Sequence, residues 1–276
     1  MERFVKKPRS HEKAVLQYYL DRCWMFHVLV TVTLLLTSIA TIVTPLITDR
    51  LLPVMAFYPF TVDHNFAIYY AIYIHQSISC FQLGAGLVMI DCQMAVMMWY
   101  ASARLEILVG EFKSVSNVRE FQFIVQKHQR LLAYAIEVSD TMSYIALVTT
   151  VSSGLGIILC CIQIVSKNRP LSIQTKYGSA ALMFMANLFI CAWPAENLLH
   201  VCDLMANAAY DASWMDMSAE WMKNYLVILR RSHRPVKVSV AGFIPTLSFN
   251  FYGSFLSAAF SYFTTLRAAM SKDNEN

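Results

Sequence analysis

Five long apolar stretches run through the chain, and they constrain its fold more than any other feature. They cover residues of about 23–48, 66–103, 142–165, 177–205 and 244–266. Crossing about 30 Å of hydrocarbon takes roughly 20 mainly apolar residues in a helix, so each stretch is long enough to span a bilayer. None shows the alternation of a strand, and each exceeds the roughly 9–11 residues of a membrane β-strand. The sequence therefore predicts an all-α membrane protein with about five transmembrane helices, forming one transmembrane domain over residues 1–276.

Composition also indicates a bilayer as the solvent for most of the chain. Of the 276 residues, 57% are hydrophobic and only 14% are charged, whereas soluble domains average about 25% charged residues. The basic residues form no block interleaved with aromatic side chains, so nucleic acid is not an expected partner. The seven cysteines lie in or beside the apolar stretches without CxxC spacing. This pattern favours small buried hydrophobes over a metal site or a disulfide framework.

The distribution of Lys and Arg between the apolar stretches predicts the orientation of the chain. Six of these residues precede the first stretch, five lie between the second and third, and five lie between the fourth and fifth. The alternate segments carry one, three and two. Because cytoplasmic loops carry the excess of Lys and Arg, we expect the amino terminus in the cytoplasm and the carboxyl terminus outside the cell. An external carboxyl terminus argues against a metabotropic G-protein-coupled receptor.

The last stretch carries small and hydroxyl side chains at every third or fourth position, including Asn250, Ser254, Ser257, Ser261 and Thr264. At about 100° per residue these positions share one side of a helix. Small residues on one face usually support close packing of membrane helices. The alternative is a water-filled path, in which hydroxyl groups let a hydrated cation pass without tight capture. The helix carries no Asp or Glu, so such a path would be poorly selective among cations.

Asp91 is the acidic residue placed deepest in a predicted span. A charge at membrane depth is costly unless it is paired or solvated, so function is the default hypothesis for such a residue. The alternative is that the second span ends earlier and Asp91 lies near the cytoplasmic boundary, accepting hydrogen bonds from hydroxyl or basic groups. Neither interpretation gives Asp91 a role in ligand binding.

A second group of residues could line a small-molecule pocket in the outer half of the membrane. Tyr73 and Gln76 lie one turn apart at the outer end of the second span, where Tyr70 could equally belong to an interfacial aromatic belt. A mostly apolar pocket with a few polar groups is the usual anatomy of such a site, and Met suits ligands of variable shape. The candidate pocket residues are Ser38, Thr41, Tyr70, Tyr73, Gln76, Met183 and Phe184, with Thr37 beside them.

The segment "AEWMKNYLVILRRS" predicts an amphipathic helix over about 218–231, between the fourth and fifth spans. Met222, Leu226 and Leu229 would bury one face, while Arg230 and Arg231 favour the negative end of the helix and the cytoplasm. One interpretation is a peripheral helix that lies on the membrane surface. The other, a cytoplasmic anchor between subunits, depends on a family resemblance.

Several motifs carry that resemblance. The carboxyl-terminal third contains "YDASW", "ILRRSHRPV", "AGFIPTLSFNFY" and "SYFTTL", and residues 52–76 read "LPVMAFYPFTVDHNFAIYYAIYIHQ". These motifs closely resemble those of insect odorant receptors, and the resemblance covers most of the chain. Gustatory receptors share the architecture, but their usual final motif has TY, an aliphatic run and QF. Family members have seven spans, and the five found here correspond to the third through seventh.

The resemblance implies an odorant-gated, nonselective cation channel in the plasma membrane of olfactory sensory neuron dendrites. The expected partners are a volatile odorant, membrane lipid and an odorant receptor coreceptor, with which the chain would form a heterotetramer. The last helix would line the pore through Ser257, Ser261, Thr265 and Ala269. The residues expected to anchor the subunits to each other on the cytoplasmic side are Tyr210, Trp214 and Trp221.

Other functions receive less support from the sequence. It contains no GxSxG, HExxH, P-loop or dinucleotide-binding motif, and its seven His residues lack metal spacing, so we expect no enzyme activity, cofactor or metal. A gustatory-type chemoreceptor channel and a membrane transporter are the alternatives. A transporter would be expected to show inverted repeats and broken helices. No internal repeat is evident, although Pro194 could break one helix.

Overall fold

The computed structural model describes residues 10–47, 52–54, 56, 58–59, 66–113, 115, 118–166, 171–211 and 219–272. This part of the chain forms six helices. They are α1 (Ser10–Ile47), α2 (Phe66–Lys113), α3 (Val118–Val165), α4 (Leu171–Asp211), α5 (Ala219–Ser232) and α6 (Phe249–Lys272). The one β feature among these residues is an isolated antiparallel bridge between Val240 and Ile244, across a turn in which Gly242 has a φ of 83°. The predicted all-α fold is confirmed.

Four of the described helices, α1 to α4, are long and apolar enough to cross a membrane. α2 and α3 contain 48 residues each, or about 72 Å at 1.5 Å per residue, which is well beyond the hydrocarbon thickness. α6, with 24 residues, is long enough to span, but it is not among these four helices, and its many Ser and Thr residues keep its hydropathy low. The fifth span therefore stays a prediction.

Local interactions set the start of α6. Ser248 Oγ accepts a hydrogen bond from the backbone N–H of Phe251 at 3.2 Å, which is the usual geometry of a helix N-cap. The Glu196 carboxylate accepts a second bond from the backbone N–H of Phe249 at 3.0 Å. A negative charge at this end of a helix complements the helix dipole. Both contacts satisfy N–H groups that the helix itself leaves without partners.

Internal contacts divide the chain into two compact units. Unit 1 comprises Met1–Phe26, Gln93–Leu147 and Ile190–Phe251, and unit 2 comprises His27–Cys92, Val148–Phe189 and Tyr252–Asn276. Unit 1 contains a hydrophobic core formed by residues of α2, α3, α4 and α5. The members of this core are Leu108, Val109, Phe112, Phe121, Ile124, Met205, Ala208, Ala209, Tyr225 and Ile228.

Large apolar side chains are exposed along the candidate spans. Examples are Trp24, Leu83 and Met89, each of which is more than 70% exposed. Exposed apolar surface on this scale marks contact with a membrane or another protein. Together with the length of α1 to α4, it indicates that lipid is the solvent of these helices.

Candidate functional site

A buried polar cluster joins three helices of unit 2 around Asp91, whose side chain is only 2% exposed. Thr149 on α3 donates its hydroxyl hydrogen to Asp91 Oδ1 at 3.0 Å. Asn187 on α4 donates its side-chain N–H to Asp91 Oδ2 at 2.6 Å. A carboxylate that accepts hydrogen bonds from two other helices links both of them to α2. The contacts of Asp91 thus include two hydrogen-bond donors, one of them a hydroxyl group.

Three buried polar atoms of unit 2 lack hydrogen-bond partners among the described residues, namely Thr150 Oγ1, Asn187 Oδ1 and Ser153 Oγ. Ser153 follows Thr149 by one turn of α3 and so lies on the same helix face. A buried polar group without a partner costs about 1–3 kcal/mol. One more hydrogen-bonding group, such as water or a polar group of a ligand, could therefore bind to the cluster.

The predicted pocket residues of α1 lie close to α4. Thr37 Oγ1 lies 2.9 Å from the Leu34 carbonyl oxygen and 3.4 Å from the Met183 sulfur. Ser38 and Thr41 are half-buried, and each donates its hydroxyl to a carbonyl of its own helix at 2.8 Å. These bonds satisfy the hydroxyl groups internally. The Thr37 hydroxyl and the Met183 sulfur thus form a weakly polar contact between α1 and α4.

Two glycines allow close contacts in the same unit. A Cβ added at Gly156 would lie 2.5 Å from the ring of Phe184, and one added at Gly84 would lie 2.9 Å from Leu34. Real Cβ atoms do not approach other heavy atoms so closely, so a side chain at Gly156 would force the Phe184 ring to move, whereas at Gly84 only the end of the Leu34 side chain would have to shift. Sequence reasoning identified Phe184 but missed Gly156, because an isolated glycine in a helical stretch does not reveal which side chain covers it.

The residues predicted at the outer end of the second span bind neighbouring backbone groups. Tyr73 donates its hydroxyl to the Ile42 carbonyl oxygen at 2.6 Å. Gln76 is buried, accepts the backbone N–H of Val54 at 3.1 Å and donates to the Tyr58 hydroxyl at 2.9 Å. These contacts attach the segment before α2 to that helix. Tyr70 is 46% exposed and makes ring contacts with Phe66 and Tyr69.

The four residues predicted to line a pore share an exposed face of α6. Ser257, Ser261, Thr265 and Ala269 are all exposed in this chain. Thr265 donates its hydroxyl to the Ser261 carbonyl oxygen at 2.8 Å. The oxygen lone pairs of Thr265 remain available on the exposed side. This face offers neutral, weakly polar groups without a formal charge.

The predicted anchor is partly visible in unit 1. Tyr210 lies on α4 and is 63% exposed. Trp214 lies outside the described residues. Trp221 lies in α5, where only its helical backbone is described. Sequence reasoning missed Tyr225, which is almost fully buried and donates its hydroxyl to the Ala209 carbonyl oxygen. Burial, followed by the nearby Asp211 charge, raises the pKa of Tyr225 to about 12, so the phenol stays neutral.

Aromatic stacking surrounds Tyr225 and attaches α5 to the unit. Its ring stacks on Phe121 of α3 at 5.6 Å between centroids and lies 6.1 Å from Phe112 of α2. Aromatic pairs of this kind contribute about 0.5–1.5 kcal/mol beyond the area they bury. α5 is therefore an integral part of the core of unit 1.

A second aromatic cluster in unit 1 was also missed. The Arg22 guanidinium lies 4.7 Å from the ring centroid of Trp193, and the Trp193 and Trp99 rings are 5.0 Å apart in an edge-to-face arrangement. Cation–π contacts contribute about 0.5–2 kcal/mol, and more when desolvated. In the sequence, Arg22 is marked only as a charged residue just before the first apolar stretch, and nothing local indicates its aromatic partners.

Two negative observations narrow the chemistry. Across the described ranges, no three His, Cys, Asp or Glu residues are grouped closely enough to hold a metal ion. α4 continues through Pro194 as one described helix, so that residue does not divide it into the two half-helices typical of transporter sites.

Long apolar helices with exposed apolar side chains, a carboxylate buried between three of them and an exposed face of small residues define a helical, multi-span membrane protein. Residues 2–260 match the family described as the 7tm odorant receptor. The chain belongs to the 7tm odorant receptor family, which confirms the resemblance seen in its motifs.

Relatives and solved structures agree with this assignment. The chain is 27% identical over 146 residues to odorant receptor 10 of Aedes albopictus and 24% identical over 149 residues to odorant receptor Or2 of Anopheles gambiae. These matches cover 52% and 54% of this chain but only 38% and 39% of the relatives, so the chain aligns with less than half of their length.

The fold is similar to that of the olfactory receptor OR5 of Machilis hrabei. In its complex with eugenol, that structure superposes with a TM-score of 0.82 at 18% identity, covering 95% of this chain and 70% of the other. Without eugenol, the TM-score is 0.81 at 17% identity, covering 94% and 69%. At this identity the likeness establishes a common fold.

Proposed function

We propose that this chain is a subunit of an odorant-gated, nonselective cation channel that assembles with a coreceptor as a heterotetramer in the plasma membrane of olfactory neurons. The observation that carries the proposal is the exposed face of α6, with Ser257, Ser261, Thr265 and Ala269 along it. Family membership supports the sensory role, and the eugenol complex of the Machilis hrabei receptor supports a small organic ligand.

The exposure of this face bears on the two roles that the sequence left open for the small residues, which are helix packing and the lining of a water-filled path. Small residues that packed against another helix of the same chain would be covered, whereas these four are exposed. Packing would then involve groups outside the described residues or another chain, and the alternatives are contact with water or with lipid. In a ring of four such helices, one edge of the face could pack against the neighbouring subunit while its centre faces a water-filled pore. Neutral hydroxyl groups would discriminate poorly between cations.

The ligand is proposed to bind in unit 2, close to the candidate pocket residues. The hydroxyl–sulfur contact of Thr37 with Met183 and the close packing of Phe184 on Gly156 are in this unit, and so is the polar cluster around Asp91. A mainly apolar surface with a few polar groups suits a volatile molecule. An odorant that binds the open arrangement more tightly than the closed one would shift an existing equilibrium towards opening.

The proposed orientation has the amino terminus and the segment containing α5 in the cytoplasm, and the carboxyl terminus outside. The excess of Lys and Arg before the first span, between the second and third spans and between the fourth and fifth spans supports this arrangement. An epitope tag after Asn276 should be stained in intact cells. Staining that requires permeabilisation would rule out this topology.

The pore assignment can be tested by cysteine accessibility. The chain would be co-expressed with a coreceptor, and Thr265→Cys would be treated with a membrane-impermeant thiol reagent during odorant-evoked current recording. We expect the reagent to reduce the current through Thr265→Cys, because it would narrow a water-filled path.

Phe260→Cys provides the matched control. Phe260 is also exposed, but it lies about 140° around the helix from Thr265. The reagent should leave the current of this variant unchanged. Equal effects at both positions, or none at Thr265→Cys, would show that this face does not line the conduction path.

A further inference from the structure

A cavity in unit 1 shares no lining residue with the proposed ligand and pore sites. It has a volume of about 280 Å³ and is formed by α3, the end of α5 and the segment after α5. Its lining residues are Ile136, Ser139, Asp140, Arg231, Arg234, Pro235, Val236 and Lys237. One water molecule occupies about 30 Å³ in the liquid, so this basic cavity has room for a considerably larger group.

Charge in the basic cavity is unbalanced. Arg231, Arg234 and Lys237 contribute three positive charges against the single carboxylate of Asp140. In the described part of the chain, none of these four side chains forms an ion pair within 4.0 Å, in contrast to Lys127, which pairs with Glu111. An excess of two positive charges matches a phosphate monoester, which carries about −1.5 to −2 at neutral pH.

The backbone that carries these cations is held in place. Ser139 Oγ donates to the Lys237 carbonyl oxygen at 2.8 Å, and the backbone N–H of Leu247 donates to the Val238 carbonyl oxygen at 2.8 Å. Val236 and Val238 on either side of Lys237 are buried, so in this extended segment Lys237 lies on the opposite face. A binding site whose backbone is already ordered loses less conformational entropy when a ligand binds.

The sequence around the cavity is typical of segments that bind anionic lipid. Arg230, Arg231, Arg234 and Lys237 fall within eight residues, the first two in the last turn of the amphipathic helix α5 and the other two just after it. Clusters of four or more Lys and Arg at the cytoplasmic face bind phosphatidylserine or phosphoinositide headgroups. The cytoplasmic location of this segment follows from the orientation proposed above.

We propose that the basic cavity binds the phosphate monoester of an anionic lipid headgroup, with a phosphoinositide as the ligand class. Guanidinium groups can hold two phosphate oxygens at once, and a lysine adds a third positive contact. A solvated basic surface is the competing explanation, in which the cations would only attract anionic membranes in general.

The test uses the purified chain in detergent, titrated with dioctanoyl phosphatidylinositol 4,5-bisphosphate and with dioctanoyl phosphatidylcholine. We expect the phosphoinositide to bind measurably more tightly than phosphatidylcholine. The double variant Arg234→Gln/Lys237→Gln should bind it about 30-fold more weakly, since each lost hydrogen bond to the phosphate costs about 1 kcal/mol and 1.4 kcal/mol is tenfold in affinity. Lys237→Arg, which keeps the charge, should retain binding.

The matched control is Arg119→Gln/Arg130→Gln, which removes the same charge from exposed positions on α3 in the same unit. Its affinity should equal that of the unmodified chain. If it loses as much affinity as the cavity variant, the attraction is a general effect of charge and the proposal fails. Equal binding of phosphatidylcholine would also overturn it.

A third titration distinguishes the sources of phosphate. Inositol trisphosphate in solution should bind more weakly than the lipid, because it lacks the acyl chains, and tighter binding than the lipid would overturn the lipid assignment. None of these measurements needs an odorant, a coreceptor or a current. Failure here therefore leaves the proposed channel function standing, and absence of odorant-evoked current leaves this result unaffected.

Discussion

Replacing Thr149 by valine tests whether Asp91 is part of an energetically significant polar cluster. The substitution keeps the shape of the side chain and removes the hydroxyl that donates to Asp91 Oδ1 at 3.0 Å. Hydrogen bonds to charged groups contribute about 1.5–3 kcal/mol to stability in soluble proteins. Interhelical hydrogen bonds in a membrane protein average about 0.6 kcal/mol, with a maximum near 1.7. We expect a loss of about 1–2 kcal/mol, because the acceptor is a carboxylate and the site is buried.

Thr150→Val makes the same chemical change at the adjacent position and gives the opposite prediction. Thr150 Oγ1 is buried and forms no hydrogen bond with the described residues. Replacing it by a methyl group removes an unsatisfied polar atom, so stability should stay the same or rise slightly. The two variants thus isolate the contribution of one hydrogen bond from the effect of an added methyl group.

The assay is denaturant unfolding of the purified chain in one detergent, followed by circular dichroism with both variants measured in parallel. Thr149→Val should unfold at a lower denaturant concentration than the unmodified chain, and Thr150→Val should not. If Thr150→Val is destabilised as much as Thr149→Val, the cost lies in packing of the valine and the argument about Asp91 is wrong.

Two further predictions concern packing in unit 2 and the core of unit 1. Gly156→Ala places a methyl group against the ring of Phe184 and should destabilise the chain by about 1–3 kcal/mol. Gly86→Ala, which would meet nothing within 4 Å, should be neutral or stabilising in the same unfolding assay. Tyr225→Phe leaves the Ala209 carbonyl oxygen without its donor and should lose about 1–3 kcal/mol at neutral pH. Because the pKa of Tyr225 is raised from 10.0 to about 12, its contribution should be constant below pH 10 and decline between pH 10 and about 12, a decline that the variant should lack.

Helix existence followed directly from hydropathy, but helix length did not. The third apolar stretch was predicted to start near residue 142, yet α3 begins at Val118. The additional turns carry charged residues, so their hydropathy is too low to predict a membrane span. They are helical because an apolar face containing Phe121 and Ile124 packs into the core of unit 1. Amphipathic turns are stabilised by packing, which mean hydropathy does not measure.

The partners of polar residues depended on tertiary contacts. The unusual position of Asp91 was evident from the sequence, and acceptance of a hydroxyl bond was one of two open interpretations. Its donors lie 58 and 96 residues further along the chain, where nothing local marks them. Gln76 was expected to face a pocket, and its hydrogen bonds with Val54 and Tyr58 became visible only in the fold.

The sequence by itself determined which segments are helical, that their solvent is largely lipid, and that small hydroxyl residues share one face of α6. These properties arise from composition and from a period of 3.6 residues, both of which are local. The tertiary structure decided that Asp91 meets Thr149 and Asn187, and that the small residues of α6 are exposed instead of covered by the same chain. Such contacts depend on how packed helices are rotated and offset against each other within a unit, and no local pattern encodes that geometry.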